Sequence, residues 1–146
     1  SVKKTYKHLC GQANIHTALK WMWASSCQPK HKIFFWLLLK DRLSTRELLK
    51  RKHMVLQSYN CALCNTSTKE SLIHLFLRCP FADQCWSLIN IQVDHSLDPF
   101  ESLQSFRTQL QVPFSMEIII IMCWTIWKAR DDLIFHQVAP SLPLAK

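Results

Sequence analysis

The chain is predicted to be mostly α-helical, on the evidence of its composition and of the spacing of its apolar residues. It has 146 residues, of which 49% are hydrophobic and 19% charged, values typical of a globular chain rather than a disordered one. Apolar residues recur at helical spacing in several segments, and no segment shows the alternation that predicts a strand. We therefore expect a mostly α chain built around one core.

The first half of the chain is predicted to hold two helices after a loosely patterned lead-in, which is part helix and part loop. Pro29 breaks the chain, and the apolar run 33–39, rich in leucine and free of glycine, predicts a largely buried helix. Ser44 and Glu47 have the spacing of a capping box, so a second helix should start at Thr45 with Ser44 as its cap.

The second half is predicted to hold four helices, at 70–78, 81–89, 100–110 and 116–135. Pro80 suits the first turn of the helix at 81–89, and Cys85 falls in its apolar stripe, which indicates a core residue. The longest apolar run, 118–127, is far shorter than the roughly 20 residues of a membrane helix. We expect no contact with a membrane.

Four potential metal ligands lie between these halves: Cys61, Cys64, His74 and Cys79. A Cys-x-x-Cys turn lets two thiolates bind one ion without strain, and zinc accepts tetrahedral sets of sulfur and imidazole ligands. Four protein ligands leave no position for water. The spacing therefore predicts one structural Zn²⁺ in a Cys-Cys-His-Cys knuckle, with the helices arranged around it.

Two other interpretations of these residues stay open in the sequence. Cys61 and Cys64 could form a redox pair, although that chemistry is typical of a βαβ unit and both flanks here are turn-like. Alternatively, His74 is an ordinary helix histidine and the cysteines are small buried residues.

The net charge of +8 is unevenly distributed along the chain. Residues 1–60 hold twelve of the 18 lysines and arginines and only two acids, whereas residues 61–146 carry a small net negative charge. Such asymmetry favours a surface for the phosphates of RNA or DNA, although a basic helix face is often merely solvated. The leading candidates for contact are Lys30, Lys32, Arg42, Arg46, Lys50, Arg51 and Lys52.

Several kinds of chemistry are disfavoured. The single glycine, Gly11, excludes the Walker-type phosphate loop and the dinucleotide-binding fingerprint. Asp131 and Asp132 follow Lys-Ala-Arg on a helix, so we expect a solvated helix end rather than a two-metal catalytic pair. Seven cysteines are an odd number, and the polar opening has no signal-peptide pattern, so we expect a reducing, intracellular compartment. We also expect a non-catalytic piece of a longer protein.

Several short motifs occur in an order that is typical of one protein family. They are Pro-Lys-x-Lys-x-Phe-Phe-Trp ending at Trp36, Asp-Arg-Leu-Ser-Thr from Asp41, Cys61-x-x-Cys64, Glu70-x-x-x-His74-Leu-Phe, and Cys79-Pro-Phe followed by Trp86. This succession resembles the zinc-binding domain of plant reverse-transcriptase-like proteins, encoded by LINE-type, non-LTR retrotransposons. The resemblance covers about residues 20–87. Later, Trp124-x-x-Trp127-x-x-Arg130 resembles the helix that leads toward a ribonuclease H-like part, except that Asp131 stands where relatives usually have asparagine.

The resemblance implies a domain organisation and a function. It places the family's metal ligands on the same four residues and divides the chain into a lead-in (1–19), a zinc-binding reverse-transcriptase-associated domain (20–90) and a helical extension toward a ribonuclease H-like domain (91–146). The implied function is that of a structural zinc module assisting RNA or DNA binding through the basic half. The alternative is a connector that packs between neighbouring polymerase and ribonuclease H-like domains without touching nucleic acid.

Overall fold

The protein is described by a computed structural model covering residues 12–137, 139 and 142. Within these residues there is no strand, only one isolated antiparallel bridge between Asn60 and Lys69. A π-helical turn spans His74–Arg78. The six α-helices are α1 (Gln12–Ala24), α2 (Pro29–Leu39), α3 (Arg46–Arg51), α4 (Pro80–Leu88), α5 (Pro99–Leu110) and α6 (Ser115–His136). The mostly α prediction is confirmed, while residues 1–11 of the lead-in lie outside the described residues.

Helix α6 organises the packing. It contacts α2, α4, α5 and the π-helical turn, and Ile119, Ile120 and Ile126 on it are fully buried. One continuous core of buried side chains extends from Ala18 in α1 to Ile126 in α6. The packing therefore links the segments on either side of residue 90, and the predicted division into domains stays a prediction.

Helix α2 lies at the surface with one face buried. Phe34, Phe35 and Leu39 are buried, whereas Ile33 is 54% exposed. The prediction of a largely buried helix was therefore correct for one face only, since α2 packs on α1 and α6 on one side and meets solvent on the other. Pro29 occupies the first turn of α2, where its missing N–H costs nothing.

Helix α3 begins one residue later than predicted. Thr45, not Ser44, is its cap, because the Thr45 hydroxyl accepts a hydrogen bond from the Leu48 N–H at 3.1 Å. In a capping box the Glu47 N–H would donate to the Ser44 hydroxyl. It donates instead to the backbone carbonyl of Glu70. The spacing correctly predicted a helix start but placed it one residue too early. The Glu47 N–H that the pattern assigns to Ser44 is bound by Glu70 from a distant segment.

The later helices begin within one residue of their predicted starts. Helix α5 has a capping box that the sequence reading missed, in which Asp98 and Glu101 each accept from the other's backbone N–H. Within the part of the chain that the structure describes, no single helix is long and apolar enough to cross a membrane; α5 and α6 meet that criterion only as a pair, bent by 120°.

Candidate metal centre

The loop that carries Cys61 and Cys64 is closed at its base by backbone pairing. The Cys61 N–H donates to the Thr68 carbonyl at 2.8 Å, and the Glu70 N–H donates to the Tyr59 carbonyl at 3.0 Å. The bridge between Asn60 and Lys69 lies between these two hydrogen bonds. This pairing holds the Cys-x-x-Cys turn at a fixed distance from the helical segment that follows.

A π-helical turn presents the other two ligands. The Cys79 N–H donates to the His74 carbonyl at 2.6 Å, an i→i+5 bond that widens the helix just before it ends. The regular helix predicted for 70–78 is therefore wrong in its winding, since helical structure starts at residue 72 and turns π-helical at His74. The widened turn frees the Phe76 carbonyl, which the buried Trp86 indole N–H satisfies at 2.8 Å.

The four predicted ligand atoms converge, all within 4.8 Å of one another. The Sγ atoms of Cys61 and Cys79 are 3.8 Å apart, and Cys64 Sγ is 3.4 Å from His74 Nε2. Zn–S bonds of about 2.3 Å and Zn–N bonds of about 2.05 Å at tetrahedral angles place ligands about 3.8 Å and about 3.6 Å apart, respectively. These two separations fit a tetrahedral zinc site, and four protein ligands leave it no open position.

The electrostatics of the cluster favour a cation between the thiols. Cys79 precedes helix α4, and its pKa is lowered to about 5 because the Cys61 thiol and the backbone N–H groups of Phe81 and Ala82 donate to its thiolate. The pKa of Cys61 is raised because it shares that hydrogen bond with Cys79 and is buried. A metal ion would let both sulfurs bind as thiolates.

The other interpretations of the cysteines fit less well. Cys61 and Cys64 do not form a disulfide bond with each other, and the described cysteines are all free. The Cys-x-x-Cys pair lies in a turn, without the strand and helix of a βαβ unit. Cys85 lies outside the cluster, and burial raises its pKa to about 11, as suits a core residue.

A buried ion pair that the sequence did not reveal stands where the chain leaves the zinc loop. Glu70 is fully buried, and its carboxylate accepts three hydrogen bonds of 2.8–3.2 Å from the Arg130 guanidinium on α6. Glu70 also accepts from the Arg46 N–H at 2.9 Å, and Arg130 donates to the Ser44 carbonyl at 3.0 Å. We call this pair the Glu70–Arg130 clamp. It ties the zinc loop and the start of α3 to α6.

The structure distributes the candidate cations over several surfaces. Lys30 lies 5.9 Å from the centre of the Trp124 ring, and Lys32 donates to the Trp23 carbonyl. Arg42 and Lys52 are exposed. Arg51 is paired with the Asp41 carboxylate at 3.0 Å and lies 3.8 Å from Glu47, so its charge is largely neutralised.

Arg46 and Lys50 lie beside the zinc loop. Arg46 donates to the Asn60 carbonyl at 2.7 Å, and the Lys50 ammonium lies 5.3 Å from the centre of the Tyr59 ring. Lys69, on the other side of the isolated bridge, lies next to Lys50. The sequence reading missed Lys69 because it belongs to the acidic half of the chain; the signal was its position inside the ligand spacing.

Asp131 and Asp132, late in the chain, belong to no cluster of three or more potential metal ligands among the described residues. Asp131 accepts from the Arg130 guanidinium at 2.8 Å, and both aspartates lie on α6. Among the described residues, Cys61, Cys64, His74 and Cys79 are the only group of three or more His, Cys, Asp and Glu side chains placed to bind one metal ion.

Comparison with known proteins agrees with this geometry. Residues 1–86 match the family described as zinc-binding in reverse transcriptase, and the chain belongs to that family. No curated protein and no solved structure matches the chain. The family and the cluster together make this a site for one structural zinc ion, held by the three cysteines and the histidine.

Proposed function

We propose that the chain is the structural zinc module of a retrotransposon reverse-transcriptase-like protein, and that it assists binding of RNA or DNA through its basic N-terminal half. It would work in a reducing intracellular compartment beside polymerase and ribonuclease H-like domains. The matched family is a zinc-binding one, not a catalytic one, and a closed Cys₃His site offers no position for a reacting water. We therefore assign the chain no catalysis of its own.

One observation supports the nucleic-acid part most strongly: cations gather beside the zinc loop without acidic partners. Among the described residues, no carboxylate forms an ion pair with Arg46 or Lys50 beside the loop, or with the exposed Lys52. Arg46 stands at the N-terminal end of α3, where the helix dipole disfavours a cation. Dipole complementarity explains Lys50 at the other end of α3 but not Arg46, whereas phosphate binding accounts for both.

The test is titration of fluorescent single-stranded RNA and DNA with the zinc-loaded chain at several salt concentrations. We expect Kd values between about 10⁻⁶ and 10⁻⁴ M that weaken steeply with salt and depend little on sequence. Replacing Lys50 and Lys52 by glutamate should abolish binding, with Arg51 left intact because it pairs with Asp41. Lys128→Glu, an exposed site on α6, is the matched control and should leave binding nearly unchanged. Equal affinities for both variants and the parent chain would overturn the proposal.

The connector alternative lacks the support that would favour it. An apolar patch exposed around Trp124 and Trp127 would indicate a docking face for a neighbouring domain. Both rings are instead partly buried, with Trp124 packed edge-on against Phe34 at 5.3 Å and Trp127 stacked on Phe76 at 6.3 Å. This aromatic surface is used within the chain.

A further inference from the structure

Three cations from two separate segments meet at the base of the zinc loop. Arg46 and Lys50 lie one turn apart on α3, so their side chains share a face of that helix. Arg46 donates to the Asn60 carbonyl, and Asn60 is bridged to Lys69. Lys50 lies over Tyr59, the neighbour of Asn60. These contacts place Lys69 opposite the exposed face of α3.

Lys69 lies close enough to Lys50 to change its pKa. The pKa of Lys50 is lowered because Lys69 approaches within hydrogen-bond reach and carries the same charge. Like charges this close together repel each other, and a bound anion relieves the repulsion. A phosphate has several acceptor oxygens and can neutralise more than one cation at once.

The negative charges around these cations are already engaged. The carboxylate of Glu70 is buried in the clamp with Arg130, and that of Glu47 lies near Arg51. Three thiolates around one Zn²⁺ leave a net charge of −1 at the metal centre, which one of the three cations can balance. Arg51 is shared between the carboxylates of Asp41 and Glu47, which leaves one further negative charge, so one net positive charge remains for a ligand.

We propose that Arg46, Lys50 and Lys69 together bind a backbone phosphate of a nucleic acid, and that the zinc-organised loop positions Lys69 for this contact. This inference rests on the proposed function and adds a residue that lies between two zinc ligands, Cys64 and His74. It makes zinc a determinant of nucleic-acid affinity, since the loop holding Lys69 is anchored by the metal.

The first experiment compares Lys69→Glu with Lys128→Glu in titrations of single-stranded RNA across a range of salt concentrations. Lys69→Glu should weaken binding about tenfold or more and lower the slope of log K against log salt by about 0.7 for each phosphate that the variant no longer neutralises. Lys128→Glu should change neither quantity appreciably. Zinc content and thermal unfolding of both variants should match the parent chain, because Lys69 is exposed and binds no metal.

The outcomes separate the two proposals. If the parent chain binds and the two variants bind equally well, the three-cation site is wrong while the proposed function stands. If the parent chain does not bind nucleic acid at all, both fail.

A second experiment repeats the comparison after removal of zinc by a chelator. We expect the difference between Lys69→Glu and the parent chain to shrink, since the loop no longer holds Lys69 beside Lys50. An undiminished difference without zinc would overturn the role assigned to the metal.

Discussion

The zinc cluster and the Glu70–Arg130 clamp lie close together but are built in opposite ways. The four zinc ligands fall within a short stretch of sequence, and a shared metal supplies their attraction. The two clamp residues are 60 positions apart, come from different segments, and meet only once α6 has packed. A metal site is thus largely encoded by local spacing, whereas a buried ion pair depends on the completed fold. The zinc site should therefore govern whether the loop forms, and the Glu70–Arg130 clamp should govern how the loop is attached to α6.

Loss of one zinc ligand should have the largest effect. Cys79→Ser replaces a buried thiolate, and structural zinc contributes apparent binding energies of about 10–16 kcal/mol in small zinc peptides. We expect zinc to be lost on dialysis and the loop amides to exchange rapidly with solvent, as hydrogen-exchange mass spectrometry would measure.

Cys85→Ala is the control for that variant, because Cys85 is equally buried but lies outside the cluster. It should keep its zinc and lose only packing energy. Retention of zinc by Cys79→Ser, or its loss from Cys85→Ala, would contradict the ligand assignment.

Breaking one side of the clamp should come next in magnitude. Glu70→Gln leaves the Arg130 guanidinium, which is 4% exposed, with only the partly exposed Asp131 carboxylate as counter-charge, and breaking a buried pair on one side costs about 3–5 kcal/mol. Chemical denaturation monitored by tryptophan fluorescence measures the change.

The Asp41–Arg51 pair provides the comparison for the clamp. It is more exposed, so Asp41→Asn should cost about 1 kcal/mol or less. Combining Glu70→Gln with Arg130→Met should recover part of the stability, because no buried charge remains. If Glu70→Gln and Asp41→Asn had equal effects, the clamp would not be the stronger tie.

The start of α3 offers a smaller test. Thr45→Ala removes the hydroxyl that accepts from the Leu48 N–H and should cost about 1 kcal/mol. Ser44→Ala, at the residue that the sequence pattern favours, should change stability by less than about 0.5 kcal/mol, because Ser44 is exposed and contributes its backbone carbonyl to Arg130. A larger loss of thermal stability for Ser44→Ala than for Thr45→Ala would mean that Ser44 is the cap.

The smallest expected effect is an increase in the free energy of unfolding. Ser102 on α5 is 2% exposed, and its hydroxyl has no hydrogen-bond partner in the wall of an apolar cavity of about 430 Å³. Ser102→Ala should stabilise the chain by about 1 kcal/mol, since it removes a buried unpaired polar group and favours helix. A loss of stability in the denaturation curve would mean that the hydroxyl is hydrogen-bonded in solution.

What could be predicted from the sequence follows the same division between local and distant contacts. The convergence of Cys61, Cys64, His74 and Cys79 and the proline-led start of α4 depend on neighbours a few residues away, and these predictions are confirmed. The π-helical winding at His74 could not be predicted, because local spacing does not reveal the Cys79 N–H bond to the His74 carbonyl or the Trp86 bond to the Phe76 carbonyl.

The charged residues follow the same division. The basic first half was visible in the sequence, but a residue count could not show that Asp41 neutralises Arg51 or that Lys69 joins Lys50 from the acidic half. Nor could spacing reveal that Arg130 pairs with Glu70, since nothing local relates them. Cations form a surface only where the fold brings them together, so that surface remains a prediction to be tested by binding.

X-ray absorption at the zinc edge, on protein purified without added metal, tests the central claim most directly. One zinc per chain with three sulfur ligands at about 2.3 Å and one nitrogen ligand at about 2.0–2.1 Å would be the signature of a closed site made by Cys61, Cys64, His74 and Cys79. An oxygen ligand in place of sulfur or nitrogen would mean an open site, and a chain that folds with no zinc would contradict the account outright.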